Sequence, residues 1–392
     1  MFARRTNWNL TPNSLAVALE EHRAAGKELL DLTASNPTTC GFHYDERAIL
    51  QALSNPKALE YQTLAKGLLA ARKAVAAYYS GLPRFTGNAV DADAIFLTTS
   101  TSEAYSYLFR LLCDPGDELL VPTPSYPLFQ FLADLNEVTL APYSLVYDHG
   151  WQIDFHSLAM ALTPRSKGVL VVHPNNPTGS FVKGEEAAAL STLCAQRDLA
   201  VIADEVFLDY GLDGSSHASF AGNNGALTLT LSGLSKISAL PQMKMAWIVS
   251  SGPADLAQDA VARLEIIADT YLSQNAPIQL ATPAFLQQRS HVQGQIMERV
   301  RTNLGELDRQ LDAQGICRRL QVEGGWYAVL RVPVTRSDEE LAIVLLREQS
   351  VFVHPGHFYD FPLDGYLVVS LLTPAEEFRE GIYRILKNVN AE

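Results

Sequence analysis

Through the middle of the chain, short stretches in which every position is apolar recur at regular intervals. Longer stretches between them repeat their apolar residues at helical spacing. The short runs predict strands at Ala94 to Thr99, Glu118 to Val121, Gly168 to Val172, Leu199 to Ala203, Leu227 to Leu231 and Met245 to Val249; the periodic ones predict helices such as Ser102 to Leu112 and Gly184 to Gln196. Val169-Leu170-Val171-Val172 and Ala200-Val201-Ile202-Ala203 do not alternate, so both faces of those strands must be covered. That points to an α/β arrangement of parallel strands sandwiched by helices. A ligand is then expected beyond the carboxyl ends of the strands, and polar residues that directly follow a strand become the candidates for chemistry.

The rhythm differs at both ends. Residues 1–45 predict an arm with a helix over Ser14 to Ala25 and a bend at Asn36-Pro37, and Gly67 to Tyr79 again has helical spacing. Beyond residue 285 a long helix is expected over His291 to Asp312, followed by strands at Gly324 to Leu330, Val351 to Val353 and Tyr366 to Ser370. Ser337 with Glu340, and Thr373 with Glu376, have the spacing of capping boxes for two further helices. The expected division is an arm (1–45) completing a small α+β domain (286–392), with a large domain (46–285) between them.

Composition narrows the function. A chain of 392 residues with 47% hydrophobic and 19% charged residues suits about two globular domains. A net charge of −13 without a Lys/Arg cluster argues against nucleic acid or an anionic membrane as partner. No apolar run reaches the ~18 residues of a membrane span, and the opening residues carry no apolar leader. Cys40, Cys113, Cys194 and Cys317 are scattered, which suggests reduced thiols in a cytoplasmic protein rather than a metal site.

Against this background Lys236 stands out. Most lysines are solvated surface charges. This one ends the apolar run through Leu231-Ser232-Gly233-Leu234-Ser235, and Lys244 follows one short loop later. A lysine between apolar walls loses part of its charge by desolvation, and a neutral amine can form a Schiff base with a carbonyl. Other strand ends carry complementary groups. Ser100-Thr101-Ser102-Glu103 opens a helix; a plain N-cap accounts for one hydroxyl, whereas three beside free amides suit an anion. Asp204 either caps the next segment or holds a proton on a heteroaromatic nitrogen. Asn176 lies in the turn His173-Pro174-Asn175-Asn176-Pro177-Thr178-Gly179, and Tyr126 is either a core aromatic or a stacking platform. A phosphate cradle, an acid for a pyridine nitrogen, an amide for a phenolic oxygen, a flat ring and an amine together meet the needs of pyridoxal phosphate.

These same segments resemble the class I/II aminotransferases of fold type I. The turn at Asn176 is similar to the family's N-P-T-G signature, Ala203-Asp204-Glu205-Val206-Phe207 to its D-E-x-Y, and Ser235-Lys236 with Leu240-Pro241 to Trp247 to its lysine segment. The resemblance implies a large domain with a mostly parallel seven-stranded sheet and a smaller α+β domain. It implies that Lys236 joins the cofactor aldehyde and shuttles the proton, that Asp204 pairs with the pyridine nitrogen, that Asn176 bonds the ring oxygen and that Tyr126 stacks. Ser100, Thr101, Ser102, Ser235 and Lys244 would bind phosphate. Tyr61 would reach the phosphate of a neighbouring subunit, which implies a homodimer with shared sites. Asn36 and His357 would border an amino donor and an oxo-acid acceptor. The same scaffold also supports C–S β-lyases and decarboxylases, and a non-catalytic sensing role is a third possibility.

Three positions depart from the family pattern. Phe207 replaces a tyrosine, and Lys244 stands where an arginine would supply a bidentate fork. Val368 stands where an arginine grips the substrate carboxylate; Arg4, Arg5 and Arg331 are the nearest substitutes in the sequence, and His354 joins His357 on the loop that borders the substrate. Losing the hydroxyl at 207 should make the Schiff-base proton harder to remove. A spectral titration of the cofactor-loaded protein is expected to show a raised pKa; an ordinary low value would refute this.

Overall fold

The structure, a computed structural model, describes residues 1–83, 85–87, 89–127, 129–212 and 217–391. Its central sheet runs from Ile95–Thr98 at one edge through Ala246–Ser251, Thr228–Gly233, Ala200–Asp204, Ser166–Val172, Glu118–Thr123 and Thr139–Tyr147 to the short Trp151–Ile153 at the other. Ala246–Ser251 is antiparallel to both its neighbours, and Trp151–Ile153 to its only one; the pairings between Thr228–Gly233 and Thr139–Tyr147 are parallel. The sheet is therefore mostly parallel but has eight strands among the described residues, not seven. Thr139–Tyr147 lacks the apolar signature because only Tyr143 in it is buried and it contains Pro142, which is tolerated toward a sheet edge.

The non-alternating strands behave as their pattern requires. Phe96, Leu229 and Ile248 meet the Thr101–Leu112 and Ala254–Tyr271 helices on one face. On the other, Ile95 and Val249 pack with the Leu69–Ser80 helix, and Val169 and Val201 with Gly184–Gln196. Each fully buried Val, Leu or Ile contributes about 1.5–3 kcal/mol of transfer free energy, so the two-sided burial holds the sheet rigid beneath its loops.

A second sheet orders Arg318–Arg319, Tyr327–Arg331, Tyr366–Ser370 and His354–Pro355, all antiparallel. The N-terminal segment joins this part: Leu30–Asp31 pairs in parallel with Val351–Phe352, and Leu15 and Ala18 enter its core. Ser337 and Glu340 form the reciprocal capping box (3.3 and 3.1 Å), whereas the Thr373 hydroxyl donates to the Asp31 carbonyl at 3.1 Å. The helix expected from His291 begins much earlier and runs Ala276–Asp312, capped by Asn275 and accommodating Pro283. It crosses the boundary expected at residue 285, so Phe285 packs with the large sheet and Ile296 with the small one.

The two sheets meet along the segment 323–326. Glu323 N donates to Gly179 O at 3.2 Å, Leu212 N to Glu323 O at 2.8 Å and Gly325 N to Tyr210 O at 2.9 Å. Glu323 Oε2 also takes Lys183 Nζ (2.7 Å) and Phe181 N (2.8 Å). Gly179 has φ +69°, and a Cβ there would meet Gly324 O at 2.6 Å. Left-handed backbone costs a non-glycine residue about 1–2 kcal/mol, and the contact adds to it. Gly179→Ala is expected to lower stability in urea unfolding by roughly 2 kcal/mol or more.

Candidate active site

Strand direction gathers the site. Five strands point their carboxyl ends to one edge of the sheet, delivering Ser100, Tyr126, Asn176, Asp204 and Lys236 after Ile95–Thr98, Glu118–Thr123, Ser166–Val172, Ala200–Asp204 and Thr228–Gly233. Ala246–Ser251 runs the other way, so its beginning, with Lys244 just before it, lies at the same edge. Residues spread over 145 sequence positions, from 100 to 244, therefore belong to one rim.

Lys236 occupies the single helical turn Leu234–Ile237. Its Nζ lies 4.8 Å from the centre of the Trp326 ring and 5.4 Å from that of Phe207. Burial pushes the amine down to about 8, while Asp204 and the Cys40 thiol pull the other way. The backbone of this turn and the residues just after it is held at three carbonyls by distant residues. Tyr210 Oη donates to Lys236 O at 2.6 Å, Gln293 Nε2 to Ile237 O at 2.8 Å and Tyr44 Oη to Ala239 O at 2.9 Å. Gln293 is in turn fixed on Asp209 Oδ2 at 2.5 Å, and Tyr78 Oη donates to Asp209 Oδ1 at 2.7 Å. None of these residues carries a sequence signature, because the contacts come from four separated segments.

Asp204 is the last residue of its strand, in register with Val172 and Leu231. Burial raises its pKa, opposed by hydrogen bonds from Tyr105 Oη (2.7 Å, to Oδ2) and Val206 N (3.1 Å, to Oδ1) and by Lys236. Tyr105 was not singled out from sequence, although it lies one helical turn after Thr101, on the same face.

Within the turn after Val172 the two asparagines divide their duties. Asn175 is saturated: Oδ1 accepts from Ser125 Oγ (3.0 Å), while Nδ2 donates to Pro124 O (3.0 Å) and Thr178 Oγ1 (2.9 Å). It thereby anchors the segment carrying Tyr126. Asn176 is buried, yet its amide oxygen has no hydrogen-bond partner among the described residues. A buried orphan amide costs about 1–3 kcal/mol unless something outside the chain completes it.

At the Thr101–Leu112 helix start, the Ser100 hydroxyl is used as the cap, accepting from Glu103 N at 3.2 Å. Glu103 Oε2 is occupied by Thr99 N (2.7 Å) and Ser273 Oγ (2.9 Å). Thr101 and Ser102 remain half-buried at the amide-rich end, where the helix dipole favours an anion. Ser235 is half-buried beside Lys236, and Lys244 is exposed in left-handed backbone (φ +49°).

Other candidates lie apart. Tyr61 is 85% exposed and lines a cavity of about 630 Å³ with Tyr107, Leu272 and Asn275, not with Lys236. Asn36 is engaged locally, its Oδ1 accepting from Thr38 N (3.1 Å) and Oγ1 (2.8 Å). His357 is exposed, edge-on to Phe358 at 4.7 Å. Arg5 pairs with Glu137 at 3.3 Å, Arg4 is exposed, and Arg331 is exposed opposite Tyr366 at its strand end. Val368 is 1% exposed.

The donor set fits pyridoxal phosphate: a desolvated amine, a buried carboxylate that accepts one hydrogen bond on each oxygen and keeps lone pairs for a ring N–H, a buried amide whose oxygen has no partner among the described residues, and a helix start for phosphate. Tyr210→Phe would strip the Lys236 carbonyl of its donor; a loss of about 1–3 kcal/mol in urea unfolding is expected.

The family model for aminotransferase class I and II matches residues 27–385. The alanine aminotransferase of Mycobacterium tuberculosis is 29% identical over 382 residues, 92% of this chain and 86% of that protein. A glutamate-pyruvate aminotransferase of Escherichia coli is 27% identical over 368 residues, covering 91% and 88%. Among solved structures, an alanine aminotransferase from Pyrococcus furiosus superposes with a TM-score of 0.89 at 22% identity over 100% of both chains. The chain thus belongs to the class I and II aminotransferases, pyridoxal phosphate enzymes that move an amino group between an amino acid and a 2-oxo acid.

Proposed function

We propose that this aminotransferase takes its amino group from a small amino acid of the alanine or glutamate type, with Lys236 as its catalytic residue. The observation that carries this reading is the Lys236 amine, desolvated at the sheet edge and within the field of Asp204. The names of the relatives supply the substrate class. Pyridoxal phosphate, when bound, supplies the aldehyde for the amine and a ring that delocalises the electrons left on the substrate α-carbon.

The chain's residues do the rest. Lys236 Nζ would hold the aldehyde and, as the free amine, would take the α-proton and deliver it to the former aldehyde carbon, two bonds along. Trp326 and Phe207 keep water from that proton. Asp204 holds a proton on the ring nitrogen, and Tyr105 keeps the carboxylate ionised and oriented. Asn176 would donate its amide N–H to the ring oxygen, and Tyr126 would cover the ring. Ser100, Thr101 and Ser102 offer the helix start to the phosphate, with Ser235 and Lys244 beside it. Asn36 and His357 border the outer mouth.

Assembly as a homodimer is part of the reading. Tyr61 projects away from its own site, among exposed Leu59, Tyr271 and Leu272, which suits a hydroxyl delivered to a second copy. The free cysteines suit a reducing cytoplasm. The buried valine at 368 favours β-elimination as the second reading, since it leaves the substrate carboxylate without the expected guanidinium.

A panel of amino acids given to the loaded enzyme tests both. Conversion of its absorbance to that of the amine form, reversed by a 2-oxo acid, is the expected result; release of ammonia and pyruvate would favour elimination. Lys236→Ala should cut turnover by about 10²–10⁴-fold or more and abolish borohydride trapping. Only the neutral amine captures an aldehyde, so capture by the apoprotein should rise with pH and reach half its limit near about 8. A rate still climbing through pH 10 would mean an ordinary, solvated lysine.

A further inference from the structure

The replacement at position 368 has a local counterpart. In the small sheet Val368 stands opposite Val329 on one neighbouring strand and opposite His354 on the other. Directly opposed residues of antiparallel strands share a face, with Cβ atoms about 4.5–5.5 Å apart. An imidazole is thus the immediate cross-strand neighbour of the side chain that stands in for a guanidinium. Tyr327, opposite Ser370 in the same ladder, lies on that face two residues further along.

This face is turned to the cleft. Ser370 Oγ donates to Ala34 O at 2.5 Å, Tyr327 shares a hydrogen bond with Ser35, and the Tyr327 ring lies 6.3 Å from Phe207, which itself flanks the Lys236 amine. Tyr359 Oη and His354 Nδ1 are 3.0 Å apart; with the hydroxyl donating to Nδ1, the neutral ring carries its own proton on Nε2. The backbone of Tyr359 ties the pair to the cofactor side, since its carbonyl accepts from Ser125 N at 2.9 Å, next to Tyr126. Burial lowers the pKa of the His354 ring and so favours the neutral imidazole, opposed in part by Asp31, whose Oδ1 is committed to Thr33 N (2.8 Å) and Oγ1 (2.6 Å).

We infer that His354, backed by Tyr359 and flanked by Tyr327, receives the substrate carboxylate in the place a guanidinium at 368 would have filled. This rests on the aminotransferase reading. The ring and the Tyr327 hydroxyl give directional donors without the permanent charge and fork of an arginine, while the Tyr359 hydroxyl is spent on orienting the ring, so the carboxylate is held by fewer charge-assisted bonds. Arg299 is the competing cation. Its Nη1 is spent on the carbonyls of Leu372 (3.2 Å) and Cys40 (3.4 Å), and its guanidinium lies 5.3 Å from the Phe42 ring centre, so it ties loops together.

The test uses the loaded enzyme, the amino acid that converts fastest in the panel, and the amine left when that amino acid loses its carboxylate. KM and kcat are measured for the first, and a dissociation constant for the second from the change in cofactor absorbance. His354→Leu is expected to raise KM by ~10-fold or more with kcat within about threefold, and to leave amine binding unchanged. Tyr359→Phe should raise KM less, His354→Gln should recover part of the loss, and Arg299→Gln should leave KM unchanged. An unaltered KM in His354→Leu, a matching loss of amine binding, or a KM rise confined to Arg299→Gln would overturn the inference. Borohydride trapping of each variant keeps a lost cofactor, which would indict the aminotransferase reading instead, distinguishable from a lost carboxylate site.

Discussion

The desolvation of one amine is the constraint on which the rest of this structure depends. Keeping Lys236 out of water costs free energy, and that cost shows as a depressed pKa. The fold supports it from every side. The apolar strand Thr228–Gly233 lifts the lysine to the sheet edge, two aromatic rings cover the amine, and Asp204 offers partial electrostatic compensation from the next strand. An amine so held is available as a nucleophile near neutral pH, whereas a solvated lysine is almost entirely protonated there.

The amine is useful only if it is aimed. The three carbonyls of Lys236, Ile237 and Ala239 are gripped by Tyr210, Gln293 and Tyr44, which come from the turn after Asp204, the long linking helix and the N-terminal arm. The turn that carries Lys236 is thus a meeting point for parts of the chain that build different sheets. Displacement of the linking helix or the arm would be felt at the lysine backbone, a coupling that depends on those hydrogen bonds and not on side-chain proximity to the amine.

The small sheet contributes the opposite wall through the seam at 323–326, which seats Trp326 over the amine, and through the face bearing Tyr327, Val368 and His354. The proposed cofactor end and substrate end differ in their chemistry. At the proposed cofactor end charged and dipolar groups converge, with Lys236, Asp204 and the helix start at Ser100 on one sheet edge. At the proposed substrate end position 368 is a buried aliphatic side chain, with His354 and Tyr327 on the same face.

The sequence by itself determined the parallel architecture and the residues at the strand ends. Burial on both faces forces non-alternating apolar runs, and chemistry at a sheet edge forces polar residues directly after them, so Lys236, Asp204, Asn176 and Ser100 were legible in one dimension. Strands that escape those rules were not: Thr139–Tyr147 and Trp151–Ile153 lie near the exposed margin, where little apolar signal is needed. The linking helix was read short, since Pro277 and Pro283 interrupt its signal while packing against both cores sustains it. Tertiary structure alone decided that Ser100 is spent as a cap, that Asn175 is spent on its own loop while Asn176 is free, and that Tyr105, Tyr210, Gln293 and Trp326 belong to the site. It also decided that His354 faces Val368. Each of these depends on strand register or on a contact across more than one segment, and periodicity, being a property of neighbours along the chain, carries no information about either.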